Sequence, residues 1–354
     1  MLIRTTNIKI ANRISKKQPG FTIVELLVVI VVIGILAAIT IVSYAGITQR
    51  ATITSLTSDL TNASTQLKLD QVTNGAYPTN LSLANGGKGI SASSGTTYIY
   101  AVNNNTNPPT YCITATKATV SYKITNDNAP SVGDCTSYGL VLSLDAGNSA
   151  SYPGSGTVWT DLSSKGNDGT LNTGVTYSPA SGGVMSFDGI SGYVSRNSSI
   201  NTGNNFSVFA WVKPQVATHG RNAVISNSYP YSINQGWLLC FQSDNSFFLS
   251  VGSDNAYGQS ASGIITNGIW NYIGATVVNG GALFNLYLNG APATTASGVL
   301  SARNISYISN KIYIGNRNTD FFNGQIGKIV IYDRVLSPDD IKQSFDIDKV
   351  RYGL

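Results

Sequence analysis

The sequence predicts an α+β chain: a long amino-terminal helix, a small antiparallel-sheet head, and an all-β jelly-roll sandwich behind them. Three observations predict it. No polar side chain interrupts Leu26 to Ile39; an apolar stripe at helical spacing follows over 51–73; and from about Gly139 short runs alternate apolar and polar residues between Gly and Asn turns. The chain has 354 residues, 42% of them apolar and only 11% charged, so hydroxyls and amides rather than ions must solvate its surface. The formal charge of +5 belongs to the leader. Arg4, Lys9, Arg13, Lys16 and Lys17 precede Gly20 and no acid does, which leaves seventeen basic and seventeen acidic residues in the body. A neutral body argues against nucleic acid as a partner, because that function needs a basic patch.

Residues 21–42 are apolar and, at roughly 1.5 Å per helical residue, long enough to cross the ~30 Å hydrocarbon core. Positive charge before them and none until Arg50 afterwards places the leader in the cytoplasm and the rest outside. Glu25, the only glutamate in the chain, stands inside this segment. A carboxylate at the membrane interior costs about 3 kcal/mol even on a lenient scale, so it needs a partner. No basic residue lies between Phe21 and Thr48. Cleavage after Gly20 would create one, the α-amine of Phe21, four residues before Glu25 or supplied by an adjacent copy.

Residues 51–73 place Ile53, Leu56, Leu60, Ala63 and Leu67 on one stripe, and "NGAYPTN" at 74–80 ends the helix with Gly75 and Pro78. Short strands follow in "TTYIYAV" and "YCITATKATVSYKIT". Cys112 and Cys135 enclose 22 residues of this head. On an exported chain they can form a bridge, with two buried thiols as the alternative.

The stretch "KKQPGFTIVELLVVIVVIGILAAI" resembles the class III signal of type IV prepilins, with Gly20 before the cut, Phe21 after it, and Glu25 at the fifth mature position. That resemblance implies removal of residues 1–20 by a prepilin peptidase, N-methylation of Phe21, and polymerisation with other pilin subunits through the apolar helix and Glu25. It also implies a pilin head closed by a disulfide, favouring the Cys112–Cys135 bridge. Many type IV pilins carry a helix-kinking proline late in this segment; Thr40-Ile41-Val42 has none.

In the carboxy-terminal part, "FSVFAWVKP", "GWLLCFQ", "WNYIGATVV" and "ALFNLYLNG" read as half-buried strands of one sandwich, and "SPDDIKQSF" as a helix capped by Ser337 with Pro338 at its first position. The order of motifs from "LSLDAGNSASYPGSG" to "FFNGQIGKIVIYDRVLSPDDI" resembles the concanavalin A-like, laminin-G-type jelly roll. Relatives of that fold include glucanases, calcium-dependent sugar binders and inert spacers, so the fold decides no function. The glucanase pattern E-x-D-x-x-E is absent, because no glutamate follows Glu25. His219, the only histidine, sits in the turn "ATHGRN" as a solvated loop residue, and Cys240 reads as an inert buried thiol. The chain is not expected to be an enzyme. Asp145, Asp161, Asp168 and Asp188 offer the oxygen chemistry calcium uses, beside Gly and Asn turns. Ile190-Ser191-Gly192 stand where relatives of the fold place further acids, so a calcium ion in the sandwich stays open, without named ligands.

The resulting organisation is a leader at 1–20, a helix at 21–74, a head at 75–137, and a sandwich at 138–354. The expected function is that of a type IV pilin-like filament subunit, a minor one, displaying a lectin-like domain for adhesion to a glycan or protein ligand. It would pass through the cytoplasmic membrane by a single span before reaching the cell surface, with the peptidase and assembly machinery as partners. The alternatives are a pseudopilin or initiating minor pilin whose sandwich is structural, and a membrane-anchored binding module that never polymerises.

Overall fold

The computed structural model describes residues 22–104, 108–216, 221–227, 236–252, 256–299, 305 and 311–354. They fall into two compact units, divided between Thr54 and Ser55. Helix α1 (Ile23–Asn74) belongs to both. In the first unit its apolar side chains, from Ile23 to Ile41, are exposed, and the helix is long and apolar enough to cross a membrane. The helix ends where the sequence predicts: Gly75 takes a left-handed φ of 76° and donates its N–H to the Gln71 carbonyl, a glycine cap.

In the second unit the stripe on α1 packs against the head. Leu56, Leu60, Ala63 and Leu67 are buried with Tyr77, Tyr111, Ile113 and Ile124. The head sheet is antiparallel, in the order β1 (Thr96–Asn103), β2 (Thr110–Lys117), β3 (Val120–Thr125), β4 (Ser131–Val132). Two further contacts fix the polar half of α1: the Tyr111 hydroxyl donates to Ser64 Oγ at 2.7 Å, and the buried Asp70 accepts the Asn85 N–H at 2.7 Å. These partners supply the surface that a Thr/Ser/Asn-rich helix needs in order to persist.

The sandwich has two sheets. The strands used below are β5 (Leu140–Asp145), β6 (Phe206–Pro214), β7 (Arg221–Asn227), β8 (Trp237–Gln242), β9 (Phe247–Val251), β10 (Ala256–Ser260), β11 (Asn271–Val278) and β12 (Asn323–Tyr332). One sheet contains β10-β9-β8-β7 in that order and continues through Ile312–Ile314. The other contains β11-β6-β12, and β12 is shared. Its first residues pair with Val184–Asp188 and its last ones with β5. Alternation sorts β6: Phe206, Val208, Ala210 and Val212 enter the core between the sheets, while Phe209 and Trp211 point outward. That outer face is covered in turn. Helix α2 (Pro338–Asp348) and the turn after it place Phe345 and Tyr352 on Trp211, with ring centroids at 5.6 and 4.3 Å. The expected start of α2 is present as a full capping box between Ser337 and Asp340.

Candidate functional site

At the amino-terminal assembly segment, Gly20 and Phe21 lie outside the described residues. Glu25 sits in the first turn of α1, in a contact that the sequence reading missed. Its Oε2 accepts the Thr22 N–H and the Thr22 hydroxyl, both at 2.8 Å, and its own N–H donates to Thr22 Oγ1 at 3.2 Å. This is a reciprocal capping box, readable in retrospect as Thr22-x-x-Glu25. It satisfies two helix-start donors.

In the head, Cys112 and Cys135 are joined as a disulfide. The bridge ties β2 to the end of the loop after β4, and the Cys135 N–H donates to Thr114 Oγ1 at 2.9 Å. Cys240 is free and fully buried, and burial pushes its thiol up, as fits an inert core thiol. His219 lies outside the described residues.

The four loop aspartates do not converge. Asp145 accepts the Gly147 N–H and the Arg351 guanidinium at 2.6 Å. Asp161 accepts the N–H groups of Ser143, Ser163 and Asn167, and its own N–H donates to Asp168. Asp188 accepts the N–H groups of Ile190, Ser191 and Gly192. Partial desolvation pushes this carboxyl up, but these bonds outweigh it and hold it at about 2. Among the described residues no group of three His, Cys, Asp or Glu side chains is placed to hold a metal. Their oxygens accept backbone N–H groups, the hydroxyls of Ser163 and Ser191, and a guanidinium, and in this arrangement they staple their loops.

The outer face of the other sheet offers a different chemistry. Arg221, Gln242, Phe248, Tyr257 and Gln259 surround a recess of about 230 Å3. Register assembles it: Arg221 pairs with Gln242 across β7 and β8, and Phe248 with Gln259 across β9 and β10. The Arg221 guanidinium lies 5.3 Å from the Phe248 ring centre. Amides, a guanidinium and aromatic rings together can hydrogen-bond and stack against a polar ligand. Of these residues the sequence reading placed only Gln242 at the end of a named strand-like run, "GWLLCFQ". The pairing that gathers them is long-range.

Head and sandwich meet at a bonded junction. Arg334, 3% exposed, donates from Nε to the Tyr138 carbonyl at 2.9 Å and from Nη1 to Asp340 at 2.9 Å. The guanidinium also lies near the rings of Tyr138 and Tyr332, at 5.7 and 5.5 Å. Asn103 at the end of β1 donates to the Asp333 carbonyl, and the Asp333 N–H to Gly139. The segment "TSYG" between head and sandwich is bonded at Thr136, Tyr138 and Gly139.

Comparison with known proteins agrees with both ends of this architecture. Residues 15–41 match the prokaryotic N-terminal methylation motif, and residues 188–342 match the concanavalin A-like lectin/glucanases superfamily. Type II secretion system core protein G of Dickeya chrysanthemi is 34% identical over 64 residues, which are 18% of this chain. The chain spans only 42% of that protein's length. Similar solved structures include the receptor-binding domain of a botulinum neurotoxin C/D mosaic, at 17% identity and a TM-score of 0.46, covering 59% of this chain and 51% of that one. Domain 4 of the extracellular GH43 arabinanase of Geobacillus stearothermophilus, in complex with arabinotriose, is 18% identical with a TM-score of 0.43, covering 58% of this chain and 97% of that one. These structural likenesses concern the fold of the sandwich.

Proposed function

We propose that this pilin-like surface protein, with a prepilin methylation motif at one end and a lectin-like sandwich at the other, is a minor filament subunit that mediates attachment. The observation that carries the reading is the recess of Arg221, Gln242, Phe248, Tyr257 and Gln259, on a sandwich joined in one chain to an assembly helix. The chain is cut after Gly20, methylated at Phe21, held in the cytoplasmic membrane by residues 21–42, and then drawn into a filament with other pilin subunits. The sandwich binds a glycan or surface protein and does not cleave it. A body of roughly 215 residues, above the commonest domain size of about 100–150, would crowd every position of a packed fibre, so sparse or terminal placement follows. Tyr257→Ala tests the reading on whole cells. Attachment to a glycan-coated surface should fall with filament number unchanged; unaltered attachment would overturn it.

The similarity to a type II secretion core protein favours one second reading, a pseudopilin whose sandwich is structural. It predicts that loss of the chain blocks protein secretion and leaves attachment intact.

A further inference from the structure

A crevice of about 570 Å3 opens between the head sheet and the outer face of the sandwich sheet that holds β5 and β12. Ile99, Thr116 and Ser121 line it from the head, and Ser143, Val330 and Ser344 from the sandwich. We propose that this crevice is a second binding site, for a neutral oligosaccharide, which exists only because head and sandwich are bonded to each other, Asn103 to Asp333 and Tyr332 to Thr136. The proposal rests on the reading of the chain as a surface-binding subunit and gives that subunit a ligand class.

Its volume lies within the roughly 300–1,000 Å3 of small-ligand sites. Its charge pattern selects the class. Lys328 is paired with Asp348 at 2.7 Å, Arg334 with Asp340, and Asp134 accepts the N–H of Thr136. Both cations on the walls are already paired, and the exposed Asp134 is bonded to Thr136, so an anionic ligand would have to break a pair, whereas a neutral one breaks none. The hydroxyls supply the recognition. Ser143, 7% exposed, alternates with the core residues Leu142 and Leu144 along β5, and its hydroxyl has no partner among the described residues. Thr116 and Ser121 share one hydrogen bond of 2.8 Å, so the pair keeps a donor and further acceptor capacity. Ile99 and Val330 add apolar surface between these groups. Facing walls of hydroxyl and aliphatic carbon match a sugar chain, which presents hydroxyls at its rim and C–H groups on its ring faces. Both walls are needed, and Arg334 bonds the segment that joins them.

The test uses the full chain in detergent micelles, titrated with neutral tri- to hexasaccharides derived from glucan, mannan, galactan and arabinan, and with sulfated and sialylated counterparts. A neutral oligosaccharide should bind. Thr116→Trp, which fills the crevice from the head, should abolish that binding, and Ser143→Val should weaken it roughly fivefold or more. Lys342→Ala, on the exposed side of α2 and outside both cavities, should leave it unchanged. If Thr116→Trp does not fold by thermal unfolding, Ser143→Val decides. No binding of neutral sugars, binding of the anionic ones alone, or binding lost in Tyr257→Ala but kept in both crevice variants would overturn the proposal. The adhesion reading fails separately, if cells lacking the chain attach as before.

Discussion

Replacing Arg334 by methionine would leave the Asp340 carboxylate at the start of α2 without its cation and the Tyr138 carbonyl without its donor. Breaking a pair this deeply buried costs about 3 kcal/mol, so Arg334→Met should lower the urea midpoint of the soluble part clearly. Lys342→Ala removes a partner that is 66% exposed and should cost about 0.5 kcal/mol or less. Equal effects would mean that the junction does not hold the fold. At the other end of the chain, Glu25→Ala should still insert into the membrane, because it removes a desolvation cost. Its recovery in sheared filaments, measured against the membrane fraction by immunoblot, should fall; normal recovery would show that Glu25 is not an assembly residue. The need for a partner at Glu25 was legible in the sequence, since one acid in an apolar run demands compensation. Thr22 was legible too, through the spacing of a capping box, but the expectation looked only for a positive charge. Arg334 was not, because its partner Tyr138 lies 196 positions away in the chain.

The disulfide belongs to the scale of elements, since it closes the head sheet just before the junction. In the loop-entropy model, closing the 23-residue separation of Cys112 and Cys135 is worth about 3 kcal/mol. A Cys112→Ser/Cys135→Ser variant should therefore melt lower than the oxidised protein, and coincide with it once both are reduced; no difference under oxidising conditions would count against the bridge. The loop after Val184–Asp188 carries a pH signature. Its Asp188 carboxyl titrates near 2 in the folded state, below the ordinary value of 3.8. Its contribution to stability is thus present above pH 4 and is lost as pH falls toward 2. The unfolding midpoint of the unaltered protein should drop more steeply across that window than that of Asp188→Asn, and parallel curves would contradict the assignment. Strands, the end of α1 and the start of α2 were readable from alternation and caps, because those are local. The gathering of Arg221, Gln242, Phe248, Tyr257 and Gln259 was not, since it depends on register across four strands. Nor were the roles of Asp161 and Asp188, as acids beside glycines suit a calcium loop and a backbone staple equally well.

For the whole molecule, a long helix, a small antiparallel sheet and a β-sandwich were legible because each has its own residue texture. What composition does not reveal is that head and sandwich are clamped together, so that a force on the sandwich passes through Arg334 and the disulfide-closed head rather than through a slack linker. A chain processed as a prepilin and exported on a filament must reach the surface without residues 1–20. Mass spectrometry of the amino-terminal peptide from protein sheared off the cell surface tests this most directly. A peptide beginning at an N-methylated Phe21 is the predicted result, and one beginning at Met1, or at any other residue, would contradict it.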